Sequence, residues 1–330
     1  MKAIVHDTYG SADVLELRDI DKPEIAVDEV LVHVRAAGVA RGDWHVMTGL
    51  PYPLRLAGYG VRTPKNPVLG MELAGVVAAT GTDVTRFAVG DEVFGIGKEA
   101  YAEYARVLES KLAPKPVNLT FEEAAVTPVS GLTALQALRD KGRVQPGHDV
   151  LVIGASGGVG TFAVQLAKAF DTTVTGVCST TKVDMVRDLG ADRVLDYTHE
   201  DFAGDRQRYD VVLDVGGNSS LARLRRVLVR SGTLVIVGGE TGGRWLGGFD
   251  RTLRALALSP FVSQQLTAVM NSENAADLGV LADLIDAGKV TPVVDRTYPL
   301  SETAKALRYL QEGHARGKVA ITVPGQGAHL

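Results

Sequence analysis

The residues best suited to chemistry lie in one short stretch, Gly154-Ala155-Ser156-Gly157-Gly158-Val159-Gly160. Glycines let a backbone come close to a pyrophosphate. A helix starting just after them turns its N-terminal amides and its dipole toward the phosphate charge. A glycine-rich stretch alone is weak evidence, but here its context is complete. A strand-like run, DVLVI at 149–153, precedes it. Residues 159–170 follow, with Val159, Phe162, Ala163, Leu166 and Ala167 on one helical face. Ala155, Ser156, Gly157, Gly158 and Val159 are therefore candidate contacts to a dinucleotide, and Gly160 would let helix and strand pack closely.

A second signal concerns which dinucleotide. Sites for NAD carry Asp or Glu about 20 residues further on, at the end of the second strand, for the ribose 2′-hydroxyl. Here that strand, 174–177, runs into Cys178-Ser179-Thr180-Thr181-Lys182, with no acid. Hydroxyl donors and a positive charge suit a 2′-phosphate, so Ser179 and Lys182 point to NADPH. The plainer alternative makes Ser179 a helix cap and Lys182 a solvated surface residue. Cys178 reads as a small buried hydrophobe rather than a catalytic thiol.

The elements around these residues alternate from Phe121 onward. Strands are expected at 149–153, 172–177, 193–195, 211–214 and 233–237, and helices at 122–141, 159–170, 182–189 and 219–228. Such alternation implies a parallel, doubly wound sheet. Ligands bind outside the carboxyl ends of such strands. Val215, in Val215-Gly216-Gly217, and Val237-Gly238-Gly239 stand there and are further cofactor candidates. Residues 1–120 read instead as β-rich, with short runs at 3–5, 29–34, 72–78, 92–94 and 102–107. Between Gly49 and Gly70, four prolines mark an irregular loop. Strands at 291–298 and 319–323 around a helix at 301–312, with a helix at 277–287 before them, do not continue the alternation. This tail is expected to rejoin the N-terminal body.

Composition sets the outer bounds. At roughly 150 residues per domain, 330 residues suggest two domains. Hydrophobic residues are 45% and charged residues 22%, enough for a sizeable core and against wholesale disorder. A net charge of −4 offers no footprint for nucleic acid. No apolar run is long enough to span a membrane, and the N-terminus lacks a signal-peptide pattern, so a cytoplasmic location is expected. One cysteine excludes internal disulfides and any zinc site needing two thiolates.

Several segments in this order resemble the medium-chain dehydrogenase/reductase superfamily: MKAIV, DEVLVHVRAAGV, PVLGMELAGVV, FAVGDEVFG, GASGGVG, DLGADRVLDY, VVLDVGG and HARGKV. The chain looks most like its zinc-independent, quinone oxidoreductase-like branch. Zinc alcohol dehydrogenases have a Cys where this chain has Ala40, a His where it has Met71, and a four-Cys lobe it lacks. No metal is therefore expected. Quinone oxidoreductases commonly have Asn at the position of Ala40, and this departure leaves the substrate class open.

The resemblance implies an α/β protein. A GroES-like, β-rich catalytic domain would comprise 1–122 and 288–330, and an NADPH-binding Rossmann domain 123–287, with the active site in the cleft. It implies that Thr133 faces the nicotinamide ribose or amide, that Tyr197 packs by the adenosine phosphate, and that the backbone at Phe261 passes the nicotinamide. Arg316 and Lys318 would return to the cofactor. Lys182, Arg316 and Lys318 would then converge on one phosphate. It also implies a homodimer formed through an edge strand at 233–237 and its neighbour.

No zinc means no Lewis acid to polarise a carbonyl. None of the nine tyrosines has a Lys four residues later, the pair short-chain reductases use for proton transfer. Conjugated acceptors need less help, because they spread the developing negative charge. The expectation is an NADPH-dependent oxidoreductase acting on a quinone or an activated C=C bond. An alcohol or aldehyde reductase of the same fold, and an NADPH-binding sensor or structural protein, are the alternatives. Trp44, Tyr52 and Tyr59 are substrate-facing candidates, with ordinary loop packing as the competing role. Arg41 and Asp43 could pair.

Overall fold

The computed structural model describes residues 1–204, 206–239 and 243–324. In chain order the N-terminal part holds β1 (Lys2–Val5), β2 (Glu16–Asp19), β3 (Glu29–Val39), α1 (Arg41–Thr48), β4 (Glu72–Thr80), β5 (Glu92–Ile96), β6 (Tyr104–Leu108), β7 (Leu112–Pro114), α2 (Phe121–Ala125) and α3 (Pro128–Gln136). The middle holds β8 (Asp149–Ile153), α4 (Gly158–Ala169), β9 (Thr173–Cys178), α5 (Val183–Asp188), β10 (Arg193–Asp196), β11 (Tyr209–Asp214), α6 (Leu221–Arg226), β12 (Leu228–Ile236), α7 (Gly243–Leu246), α8 (Phe249–Leu258) and β13 (Gln265–Ala268). The tail adds α9 (Ala275–Asp286), β14 (Val294–Pro299), α10 (Thr303–Gln311) and β15 (Lys318–Thr322).

These elements form two compact units. The first comprises Met1–Leu132, Glu273–Gly288 and the chain from Pro292 onward; the second comprises Thr133–Ser272 with Lys289–Thr291.

The second unit is built on a six-stranded sheet in the order β10-β9-β8-β11-β12-β13, every neighbouring pair parallel. This is the doubly wound nucleotide-binding order, two halves meeting between the first and fourth strands. Its strands are apolar almost throughout because helices cover both faces of a parallel sheet. Val150, Leu151 and Val152 of β8 and Val212 and Leu213 of β11 are fully buried. The expected edge at 233–237 is corrected. Those residues belong to β12, paired with β11 on one side and β13 on the other, and Gln265–Ala268 forms the edge. Thr233–Ile236 is buried throughout, as an interior strand must be, whereas Gln265 on the edge is exposed.

In the first unit, a seven-stranded sheet runs β14-β15-β3-β4-β5-β7, with β6 paired to β3, and β1 and β2 form a separate hairpin. Tail strands β14 and β15 join it through the antiparallel pairing of β15 with β3. The core packs Val30, Val32, Val34, Leu73, Val93 and Val319. Helix α2 starts where Thr120 and Glu123 cap each other reciprocally: the Glu123 amide donates to Thr120 Oγ1 at 3.2 Å, and the Thr120 amide to Glu123 Oε2 at 2.9 Å. Helix α9, grouped by its position in the chain with the nucleotide-binding domain, lies instead in the first unit. Its buried Leu278, Leu281 and Ile285 pack there, and Asn118 Nδ2 donates to Ile285 O at 2.9 Å.

No helix among the described residues is long and apolar enough to cross a membrane.

Candidate functional site

In the second unit the glycine-rich turn joins β8 to α4, beside the β8–β11 boundary where the strand order reverses. Its glycines fall into two kinds. Gly154 has φ +86°, which an L side chain rarely adopts, and a Cβ on Gly160 would lie 2.1 Å from Gly154 O. Both are required by the fold itself. Gly157, the N-cap of α4, is different. Its φ is −86°, and a Cβ there would meet nothing nearer than Gly154 O at 3.6 Å. At Gly216, just beyond β11, the nearest atom would be Ile153 Cγ2 at 3.7 Å. The chain's own packing does not require glycine at either position. The space a Cβ would take lies open at the start of a twelve-residue helix, whose first amides have no partner inside the helix. That arrangement suits an anion brought close to the backbone.

Most of the other residues expected in this unit lie along the carboxyl edge. Ala155 is buried, Ser156 is nearly so, and Gly158 and Val159 open the helix. Ser179 occupies the N-cap position of the turn Thr180–Lys182, yet its hydroxyl makes no capping hydrogen bond. Lys182 is half-buried. Tyr197, 63% exposed, is anchored by its amide to Cys178 O at 3.0 Å and so stands beside the end of β9. Val215, Val237, Gly238 and Gly239 follow β11 and β12 and are all half-buried. Phe261 corrects its expected place beside the nicotinamide: it is 83% exposed and precedes the amino end of β13, which runs parallel to β12 from Gln265, so chain direction puts it away from the carboxyl edge. Thr133 is half-buried on α3. Burial pushes the Cys178 thiol up to about 11, consistent with a packing role.

One acid at this edge escaped the sequence reading because it lies on β10 rather than β9. Asp196 is the register partner of Cys178. The hydroxyl of Thr180 above all, then Thr198 and His199, holds its carboxyl well below the usual range. Thr198 Oγ1 lies 2.7 Å and His199 Nδ1 3.0 Å from its oxygens. Its charge is thus engaged by neighbours within the protein.

The remaining expected residues lie in the first unit. Arg316 is exposed, its amide donating to Asp295 Oδ2 at 3.1 Å. Lys318 corrects the expectation of a phosphate contact. Its side chain is buried on β15, and its ammonium is paired with Glu72 Oε1 and donates to Val39 O at 3.2 Å. Along a strand successive side chains alternate faces, and this register turns Lys318 into the core. Glu72 is completed by the Val129 amide, 2.8 Å from Oε2. Asp43, expected to pair with Arg41, uses Oδ2 to accept the Ala40 amide at 2.8 Å at the start of α1. Burial pushes the Asp43 carboxyl up to about 7; the charge of Glu72 adds to this, while the Ala40 amide, the Tyr101 hydroxyl and Lys318 oppose it.

Trp44 packs at the margin of the first unit's core, with Arg41 5.0 Å from its ring. Tyr52 and Tyr59 belong to a self-packed loop. Arg55 lies 4.3 Å from the Tyr9 ring and 5.0 Å from that of Tyr52, and the Tyr9 hydroxyl donates to Tyr59 O at 2.7 Å.

A parallel sheet of this order, with an open anion cradle at its switch point, defines a dinucleotide-binding fold, and comparison with known proteins supplies the chemistry. Residues 26–117 match the alcohol dehydrogenase GroES-like domain, and residues 189–321 match the zinc-binding dehydrogenase family. An NADPH-dependent alkenal/one oxidoreductase of Arabidopsis thaliana is 34% identical over 97% of this chain and 79% of its own. A quinone oxidoreductase from Coxiella burnetii superposes with a TM-score of 0.87 at 30% identity, covering 98% of this chain and 99% of its own. An NAD-dependent alcohol dehydrogenase superposes at 0.84 with 31% identity, covering 98% and 100%. The protein is an oxidoreductase that uses a nicotinamide cofactor, with a GroES-like domain and a Rossmann-like domain. It belongs to the medium-chain dehydrogenase/reductase superfamily, in the quinone oxidoreductase-like branch.

Zinc, carried in the name of one matching family, does not fit the residues present. Ala40 and Met71 provide neither thiolate nor imidazole. Glu72 is already matched to an ammonium and an amide. Among the described residues no group of three or more His, Cys, Asp or Glu is arranged to hold a metal ion.

Proposed function

We propose that the protein is a metal-independent, NADPH-dependent reductase of quinones or activated C=C bonds. The observation that supports it most is the open space at Gly157, a glycine that packing does not require at the N-terminus of a helix on the switch point. Bound NADPH would supply a hydride. The amides of Ser156, Gly158 and Val159 hold the pyrophosphate charge, the Gly157 amide being taken by Gly154 O at 3.2 Å. Ser179, with its hydroxyl uncommitted to capping, and Lys182 take the 2′-phosphate, and Tyr197 flanks the adenosine. The backbone at Val215 and at Val237–Gly239 lines the other half of the dinucleotide, with Thr133 beside it. Trp44, Tyr52 and Tyr59 offer ring surface to the substrate. A conjugated acceptor takes its proton from solvent or a nearby hydroxyl, which suits a chain without a Tyr–Lys pair. A homodimer would add strands at β13, the edge of the sheet.

The similarity to an NAD-dependent alcohol dehydrogenase favours a second reading, reduction of aldehydes. NADPH oxidation with a quinone, an enone and an aldehyde separates the two. Turnover of the quinone or enone is expected. Turnover of the aldehyde alone would replace the first reading with the second. Binding of NADPH with no turnover of any acceptor would remove both and leave a sensor.

A further inference from the structure

Helix α8 contributes one side chain that reaches back into the carboxyl edge of the sheet. Arg251, largely buried, donates from Nη1 to the Asp214 carboxylate and to Ser219 O at 2.9 Å, and from Nη2 to Gly238 O at 2.7 Å. Asp214 is the last residue of β11 and is fully buried. Its Oδ1 accepts the Gly217 amide at 3.2 Å. Its carbonyl accepts the amides of Val237 and Gly238, both at 3.1 Å. One guanidinium and one carboxylate therefore tie together the turn after β11 and the turn after β12.

The two turns are in close contact. A Cβ on Gly238 would lie 2.2 Å from Val215 O, and one on Gly217 would lie 3.0 Å from Gly238 C and Gly239 N. Neither turn could shift without breaking this bridge. In a sheet of this order the half containing β11 and β12 takes the nucleotide opposite the one held by the glycine-rich turn.

From this geometry we propose that Arg251 is a positioning residue for the nicotinamide half of the cofactor, acting through Asp214 and Gly238 O to fix the backbone that half rests on. The proposal depends on reading the second unit as the cofactor domain. Planar, forked donors suit Arg for this bridge, because a single ammonium cannot face the carboxylate and the Gly238 carbonyl with the same geometry.

The test separates the two halves of the cofactor. Removing Arg251 alone would strand a buried carboxylate, so the variant is Arg251→Met with Asp214→Asn. Adenosine 2′,5′-bisphosphate probes the first half alone and NADPH both halves. Single-turnover hydride transfer to a quinone reads positioning. The expected result is unchanged affinity for the bisphosphate, with NADPH affinity and the hydride-transfer rate each down about tenfold or more. Arg251→Lys keeps the charge beside Asp214 and should show the same split at smaller size; it decides the matter if the double variant does not fold. Wild-type NADPH affinity and hydride rate in the variant would overturn the proposal. So would an equal loss of both ligands, which marks a purely structural bridge. A wild-type protein that binds neither ligand would instead overturn the cofactor reading on which the proposal rests.

Discussion

The two units differ in what they leave open to a ligand. At the carboxyl edge of the parallel sheet, peptide amides, hydroxyls and Lys182 surround a vacant Cβ position at Gly157, while the buried Arg251–Asp214 pair is closed on itself. In the first unit buried ionisable groups are met from within the core: Lys318 by Glu72, Glu72 by the Val129 amide, and Asp43 by the Ala40 amide. Peptide dipoles bind an anion without carrying net charge of their own, so they can stay open to solvent at little cost. Buried ions must be matched inside the fold, because desolvation costs several kcal/mol per charge. One region is therefore built to receive a ligand, and the other is largely complete without one.

That contrast can be broken by substitution. The largest effect is expected for Glu72→Ala, which strands the Lys318 ammonium. Stability should fall by about 3–5 kcal/mol in urea unfolding, with the folded fraction still binding NADPH normally. A small loss would mean that the pair is not matched as described.

Next comes a paired test within the turn. Gly160→Ala forces a Cβ against Gly154 O and should destabilise by roughly 1–3 kcal/mol. Gly157→Ala should leave stability within about 0.5 kcal/mol yet weaken NADPH about tenfold or more. Equal behaviour of the two variants would erase the distinction between structural and ligand-facing glycines.

Lys182→Glu is a sharper probe of cofactor choice. NADPH affinity should drop about tenfold, roughly 1.4 kcal/mol, while NADH affinity stays near its starting value. Equal loss of both would move Lys182 away from the 2′-phosphate.

The last test concerns pH. The Asp43 carboxyl is raised from 3.8 to about 7 in the folded chain. Between those values the unfolded chain has released its proton and the folded chain has not, so stability falls as pH rises through that window. Asp43→Asn should flatten this decline by about 2.5 kcal/mol between pH 5 and 7.5, read from urea midpoints at each pH. Identical slopes in the two proteins would refute the assignment.

Much of the second unit was legible because its signals are local. A strand, a glycine turn and a helix occupy 149–170 without a break, and each carries its own periodicity. The edge of the sheet was not. Residues 233–237 look like any apolar strand, and only the pairing of Gln265–Ala268 beside them shows which strand lies outermost. The four-residue QLTA segment is too short and too mixed to stand out. Asp196 was missed for a similar reason: it approaches the end of β9 through sheet register, 18 residues from Cys178 along the chain. Arg251 lies on an amphipathic helix with other charged residues, and nothing local distinguishes it from the exposed Arg254.

By itself the sequence determined the alternation of strands and helices, the glycine turn, the absence of an acid after β9, and the lack of thiolates for zinc. Each depends on residue type and near-neighbour spacing, which the chain carries wherever it folds. Tertiary structure alone decided which glycines are free to face a ligand, that Lys318 turns inward to Glu72, and that Arg251 bridges two turns. Those outcomes depend on strand register and on contacts between residues 13 to 246 positions apart. Burial then makes them consequential, because a charge removed from water must find its partner within the fold.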